Sequence, residues 1–343
     1  MRKSSRGNPN HMPAGSSEGG RFCSKGVAGS MTVQNDDGYY EIRTEDRKLK
    51  RTGEENEELL LEAYDNNETI AGIDMPGHNQ YVSEIIDKFV ADGMETNITL
   101  TDEDGDYLPE RRKQQKEIVN EILENTKARK ERRVIVTGGL GGAGKTTVLK
   151  KYMHIDTDDY ITVNPDDIKE IMAEKDMIPD VKGLTPMEAS PLVHEEASDV
   201  SKMLMNRASK EGYNIIIDTT LSSENSAREK VNLLKKAGYT DIQPVFVDIS
   251  PETSLERAQS RHKHGLDNFT EHHKGNGGRF LPEKLIDKAQ PSNKKFNSKN
   301  AENLIRLHED EVFTKRPIVF NNEGREPIEI EFNDFVKKGK KGV

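Results

Sequence analysis

The sequence predicts an α/β fold, a parallel sheet flanked by helices, behind an N-terminal extension that is partly disordered and partly α-rich. Three observations predict it. From Arg133 onward, short β-branched runs alternate with helix-length amphipathic stretches, the pattern of a sheet joined by crossover helices. The first run, Val134 to Val136, passes into Gly139-x-x-x-x-Gly144-Lys145-Thr146, a phosphate-binding loop pattern, and then into helical spacing at Val148, Leu149 and Tyr152. The first 30 residues, by contrast, are rich in Gly, Ser, Pro and Asn and too poor in apolar surface to offset their ordering entropy.

Taken in order, residues 1–30 read as a basic, disordered tail, and the run Gly7 to Phe22 resembles short tails at the start of phage-encoded structural and accessory proteins. Residues 31–110 form an acidic region of a different kind. It holds a possible strand at Tyr39–Arg43, a short helix near Leu59–Ala63, and a helix carrying Val82, Ile85, Ile86 and Phe89 at i, i+3, i+4 and i+7. A third domain is expected over residues 111–343. Pro109 to Arg133 reads as one long charged helix with a thin stripe of Ile118, Ile122 and Leu123. Beyond the phosphate loop come a strand at Tyr160–Val163 and a helix starting at Asn164-Pro165, where Asn suits the cap and Pro the first turn. A helix near Pro191–Lys210, a strand ending in Asp218, a helix at Ser223–Ala237 and a strand at Ile242–Ile249 follow. Ser250-Pro251 opens a helix to about His262, and Lys263–Phe280, rich in Gly, His and Asn, reads as a mobile loop. Two helices, near 282–288 and 300–311, precede a hairpin around Asn321–Gly324.

Composition narrows the functional classes. A net charge of −10 argues against broad electrostatic binding to nucleic acid. Cys23 is the single cysteine, so no internal disulfide can form and a reducing, cytoplasmic setting fits. No apolar run reaches membrane-spanning length, and no apolar segment follows Arg2 and Lys3, so neither a membrane nor a secretory signal is expected.

The loop glycines, Gly139, Gly141, Gly142 and Gly144, allow a tight turn that points N–H groups at a phosphate. Lys145 is expected to reach the β- and γ-phosphates of ATP and Thr146, followed by Thr147, to bind Mg²⁺. In open parallel sheets ligands lie beyond the carboxyl ends of strands. Asp166, with Asp167 competing, falls there as a group to accept or orient a hydroxyl proton, or else as an acid favoured by a helix's first turn. Asp218 falls there as a direct or indirect Mg²⁺ contact, or as a cap of the next turn. Arg257 and Arg261 share a helix face, and Arg279 ends the Gly-rich loop, where closure can bring it to a transferring phosphoryl group. His262, His264, His272 and His273 show no Cys or acid at ligand spacing, so no metal centre is expected of them.

Several separated motifs then carry a family resemblance. They are Gly139–Thr146, Val163-Asn-Pro-Asp-Asp-Ile-Lys169, Pro191-Leu-Val-His-Glu-Glu-Ala-Ser198, Asn214-Ile-Ile-Ile-Asp-Thr-Thr220, Val247 to Arg257 and Gly277-Gly-Arg-Phe-Leu-Pro282. From about Val134 to Glu331 the chain resembles the zeta toxin family of P-loop kinases. The resemblance implies ATP- and Mg²⁺-dependent phosphorylation of a sugar hydroxyl, that of the nucleotide sugar UDP-N-acetylglucosamine. It implies Asp166 as catalytic base and Lys145 as the phosphate-loop lysine. It also implies Arg261 or Arg257, with Arg279, as lid arginines. His194, Glu195, Glu196, Asp218 and Thr220 fall at substrate-lining positions, with Thr146 and Asp218 at the metal. The sequence departs from the pattern in having Asp218 where the family's toxins carry Glu. The implied partner is an antitoxin. A second reading, from another class, is a phage or mobile-element accessory protein that docks on a particle through its N-terminal region and only binds nucleotide. A kinase of nucleic-acid ends is a third.

Overall fold

A computed structural model describes residues 75–340 apart from 273, 283 and 293–295, with the strands at 30–34 and 40–44 and residue 60. The tail with Cys23, the helix expected near Leu59–Ala63 apart from Leu60, and His273 lie outside the described residues. Strand β1 (Ser30–Gln34) pairs antiparallel with β2 (Tyr40–Thr44). The chain divides into two compact units. Unit 1 takes residues up to Ile118, Pro165–Val200 and Ser260–Phe280; unit 2 takes Val119–Asn164, Ser201–Gln259 and Leu281–Val343. The boundary expected at residue 110 therefore falls inside unit 1.

Unit 2 holds the sheet. Its strands are β3 (Arg133–Gly138), β4 (Ile161–Val163), β5 (Ile215–Asp218), β6 (Asp241–Asp248), β7 (Ile318–Asn321) and β8 (Ile328–Ile330). Their order is β4-β5-β3-β6-β7-β8, parallel except for the β7–β8 hairpin. Val134, Ile135 and Val136 of β3 and Ile215, Ile216 and Ile217 of β5 are all buried, as β-branched runs covered on both faces must be. The phosphate-loop strand β3 lies between β5 and β6, so the carboxyl ends of those strands, Asp218 and Asp248, flank the loop.

Unit 1 is helical. Helix Met75–Ala91 buries Tyr81, Val82, Ile85, Ile86 and Phe89, the expected face, against Val181, Leu184, Ala189 and Leu192. Two helices differ in length from the sequence expectation. The charged helix ends at Asn125 rather than near Arg133. Beyond it the backbone of Arg129 is drawn into extended pairing, donating to Asp159 O and accepting from Asn214 N. The helix from Pro251, in contrast, continues ten residues past His262 to His272. Gly265 there is a packing residue, not a breaker, because a Cβ on it would lie 2.5 Å from Gly278 Cα. Leu266 and Thr270 are buried on the same added segment. The expected mobile loop shrinks accordingly to the residues after His272. Among the described residues no helix is long and apolar enough to cross a membrane.

Candidate active site

The phosphate loop of unit 2 is built as its sequence requires. Gly139 has φ +121°, and a Cβ on it would lie 2.2 Å from Val247 O. No side chain fits there, so β3 can turn directly over β6. Gly142 and Gly144 also have positive φ. The loop's own carbonyls are tied from below. Ser254 Oγ donates to Gly141 O (2.6 Å), Arg257 to Gly142 O (3.3 Å) and Asn322 Nδ2 to Ala143 O (2.7 Å). With the carbonyls held in this way, the loop is fixed before any ligand arrives. Lys145 Nζ lies 3.2 Å from Gly139 O and 3.4 Å from Asp218 Oδ1. Asp218 also accepts from Thr137 Oγ1 (2.7 Å) and Asn164 Nδ2 (3.2 Å). Thr146 and Thr147 are exposed at the start of the following helix.

In unit 1, Asp166 stands in the first turn of helix Pro165–Glu174. It pairs with Arg279 through Oδ2 and with Lys169 through Oδ1, the latter at 3.4 Å. Burial pushes the Asp166 carboxyl upward. The charges of Arg279 and Lys169, with His194, outweigh it and hold the group below its ordinary value. Burial pulls Lys169 below the usual lysine range, against the pull of Asp166. Arg279 also reaches Glu170 (3.4 Å), while its Nε, buried, has no hydrogen-bond partner among the described residues. Partial desolvation, and then the charge of Arg279, lower the pKa of Arg261, which also feels Asp166 and Glu170. A carboxylate held ionised by flanking cations can orient a hydroxyl and receive its proton as negative charge moves to a phosphoryl group.

Each expected residue now has a place. Arg279, Arg261 and Asp166 come together in unit 1. Arg257, four residues from Arg261, instead braces the phosphate loop, its other terminal nitrogen donating to Asn322 O (2.7 Å). The Thr220 carbonyl accepts from Gly139 N (3.2 Å) and Asn300 Nδ2 (2.7 Å), and its hydroxyl accepts from Ser222 N (3.3 Å). His194 and Glu195 are exposed at the start of helix His194–Glu211. Glu196 is a correction. Its side chain is fully buried and its oxygens are taken by Arg111, at 2.7 and 2.9 Å, and Gln115, at 2.7 Å. It is spent on pairing inside unit 1, and its burial keeps it from a substrate. Sequence reasoning missed Lys169, whose only signal was its i+3 spacing from Asp166, and Thr137 and Asn164, which flank Asp218 from β3 and from the end of β4.

The family model described as "Zeta toxin" matches residues 118–325. No curated protein matches the chain. Among solved structures, the native AvrRxo1-ORF1:-ORF2 complex aligns with TM-score 0.50 at 18% identity, over 76% of this chain and 72% of that one. A protein of the PezAT chromosomal toxin-antitoxin system of Streptococcus pneumoniae aligns at 0.43 and 17%, over 65% and 81%. A putative kinase from Chloroflexus aurantiacus aligns at 0.37 and 15%, over 62% and 98%.

Proposed function

Because the chain belongs to the zeta toxin family of P-loop kinases, we propose that it is an ATP-dependent phosphotransferase whose acceptor is a sugar hydroxyl of UDP-N-acetylglucosamine. The observation that carries the reading is Asp166, kept ionised by Arg279 and Lys169, in a chain with an intact phosphate loop. The loop fits a polyphosphate, since its glycines adopt conformations that side chains rarely do and its carbonyls are already bonded from behind. Lys145 and the loop N–H groups hold the β- and γ-phosphates, and Arg257 keeps the loop in shape. Thr146 and Asp218 would hold Mg²⁺, which would neutralise charge on the phosphates. Asp166 orients the acceptor hydroxyl and receives its proton. Arg279, with its unpartnered Nε, and Arg261 stabilise charge on the transferring group. His194 and Glu195 line the acceptor. An antitoxin protein is the partner proposed for such an activity.

The test is incubation of the protein with labelled ATP, Mg²⁺ and a panel of nucleotide sugars, nucleosides and oligonucleotide ends. Label on the sugar of UDP-N-acetylglucosamine is expected. Label on another acceptor overturns the substrate, and no transfer to any of them overturns the kinase reading.

A further inference from the structure

Sequence order hides a second polar cluster in unit 1. His78 and His262 each place Nε2 2.7 Å from the same oxygen, Glu188 Oε1. His78 and Glu188 are 0% exposed and His262 is 1% exposed. The other carboxylate oxygen, Oε2, accepts from the backbone N of Thr185 (2.9 Å) and from its hydroxyl (3.1 Å), closing a capping box. A carboxylate this deep persists only if its charge is paired and its lone pairs are used. Burial lowers the pKa of His78, but Glu188 outweighs it and raises the ring, while the two histidines hold Glu188 far below the usual range. Two histidines and a glutamate are also a zinc donor set. Here, however, the nitrogens sit at hydrogen-bond distance from the carboxylate, and among the described residues neither buried Nδ1 has the partner that a metal-bound ring normally has.

The cluster lies directly under the segment that carries Arg279. Gly277, at φ +86°, crosses Thr185 so closely that a Cβ would lie 2.1 Å from Thr185 Oγ1. A Cβ on Gly278 would lie 2.0 Å from His262 O. Met187 N donates to Asn276 O (2.9 Å), and the Phe280 ring meets the His262 ring edge-on at 5.5 Å. Arg279 is therefore held between two residues that both rest on His262. We infer that His78, Glu188 and His262 form a positioning cluster that seats the segment Asn276–Phe280 and so aims Arg279 at Asp166. This makes helix Met75–Ala91, which lies outside the family match at 118–325, a working part of the phosphotransferase. The inference rests on the proposed role of Arg279. His78 is a positioning residue that touches no substrate.

The experiment uses the full chain and the variants His78→Leu, His78→Gln, Arg279→Ala and the double variant His78→Leu/Arg279→Ala. Hydrogen exchange, which needs no acceptor, should speed up in His78→Leu over residues 274–282 and stay unchanged over 139–152. His78→Gln, which keeps a donor for Glu188, should restore most of the protection. With ATP and UDP-N-acetylglucosamine, His78→Leu should lower kcat at least about 10-fold, with KM for ATP within about 2-fold. Adding His78→Leu to Arg279→Ala should cost nothing further, because both act through one group. If His78→Leu does not fold, the same readouts on His262→Gln replace it. Unchanged exchange over 274–282, losses additive with Arg279→Ala, or one tightly bound zinc per chain on elemental analysis would each overturn the inference. Wild-type turnover in Arg279→Ala would instead overturn the proposed role of Arg279, and the exchange result would still decide whether the cluster seats the segment.

Discussion

Asp166→Asn keeps the size of the side chain and removes its charge and most of its proton-accepting power. The surroundings of Asp166 define what kind of base the proposal requires it to be. Against burial, which pushes it up, Arg279 and Lys169 hold its carboxyl below the usual carboxylate range, so it stays ionised near neutral pH. It can orient the hydroxyl and take the proton late, as a loose phosphoryl transition state allows. Loss of such a group typically lowers turnover by about 10²- to 10⁴-fold, or roughly 2.7–5.5 kcal/mol in the barrier. ATP affinity should stay within a few-fold, because the proposal gives the phosphates to Lys145 and the loop, not to Asp166. The depressed pKa also fixes the sign of the pH effect. The ion pair contributes stability above the unfolded value and loses it as pH falls through the folded one, so Asp166 should add no titration to the rate between about pH 5 and 9. The substitution also strips counter-charge from buried Lys169, an expected stability loss of about 1 kcal/mol, to be measured in urea beside turnover and calorimetric ATP binding. Asp167→Asn, exposed and one residue along, is the control. If Asp167→Asn abolishes turnover while Asp166→Asn does not, the base is misassigned. If neither matters, the charge cluster around Arg279 is not catalytic.

Other consequences follow from the same structure. Lys145→Ala should greatly weaken ATP binding in a folded protein, and wild-type-like affinity by titration calorimetry would refute the loop assignment. Arg111→Met leaves Glu196 fully buried without its bidentate partner, so stability in urea should fall by about 3–5 kcal/mol. A loss under about 1 kcal/mol would return Glu196 to the list of substrate contacts. Deleting residues 1–110 removes six apolar side chains, Tyr81, Val82, Ile85, Ile86, Phe89 and Met94, buried against the rest of unit 1, each contributing roughly 1.5–3 kcal/mol. That approaches the whole stability of a domain, so the truncated chain should be insoluble or molten by circular dichroism. A soluble, cooperatively folding remainder would show that residues 111–343 stand alone.

How much was legible depended on whether the signal was local. The β-branched runs at 134–136 and 215–217, the phosphate loop, the Asn164-Pro165 helix start and the 82/85/86/89 stripe are read from neighbours along the chain, and all appear where expected. Contacts between distant residues left no such signal. His78 meets Glu188 across 110 positions, and Arg111 meets Glu196 across 85. Nothing near either partner in sequence announces the other. Composition also misled once. Glycines and histidines at 263–280 suggested a mobile loop because Gly usually signals backbone freedom. Here Gly265, Gly277 and Gly278 are required for the opposite reason, close backbone packing that admits no Cβ.

Asp218, proposed as a metal contact, stands where the family resemblance implies a glutamate, and the donors around it favour the shorter acid. Its Oδ1 meets Thr137 Oγ1 at 2.7 Å and Lys145 Nζ at 3.4 Å, and its Oδ2 meets Asn164 Nδ2 at 3.2 Å. These donors come from β3, from the phosphate loop and from the residue after β4, three fixed backbones. A glutamate would carry its carboxylate one bond further, about 1.5 Å, past Thr137 and into the space around Lys145. Asp218→Glu, although it introduces the residue that the resemblance implies, should therefore lower turnover by at least about 10-fold, as displacement of a positioned group by an ångström commonly does. Thr137→Val in the wild-type background should act in the same direction and more weakly, since it removes one of the donors that aim the carboxylate. Both are read as turnover per folded molecule with ATP in excess. If Asp218→Glu is as active as the parent or more so, the three donors do not set the position of the acid, and its link to Lys145 is incidental.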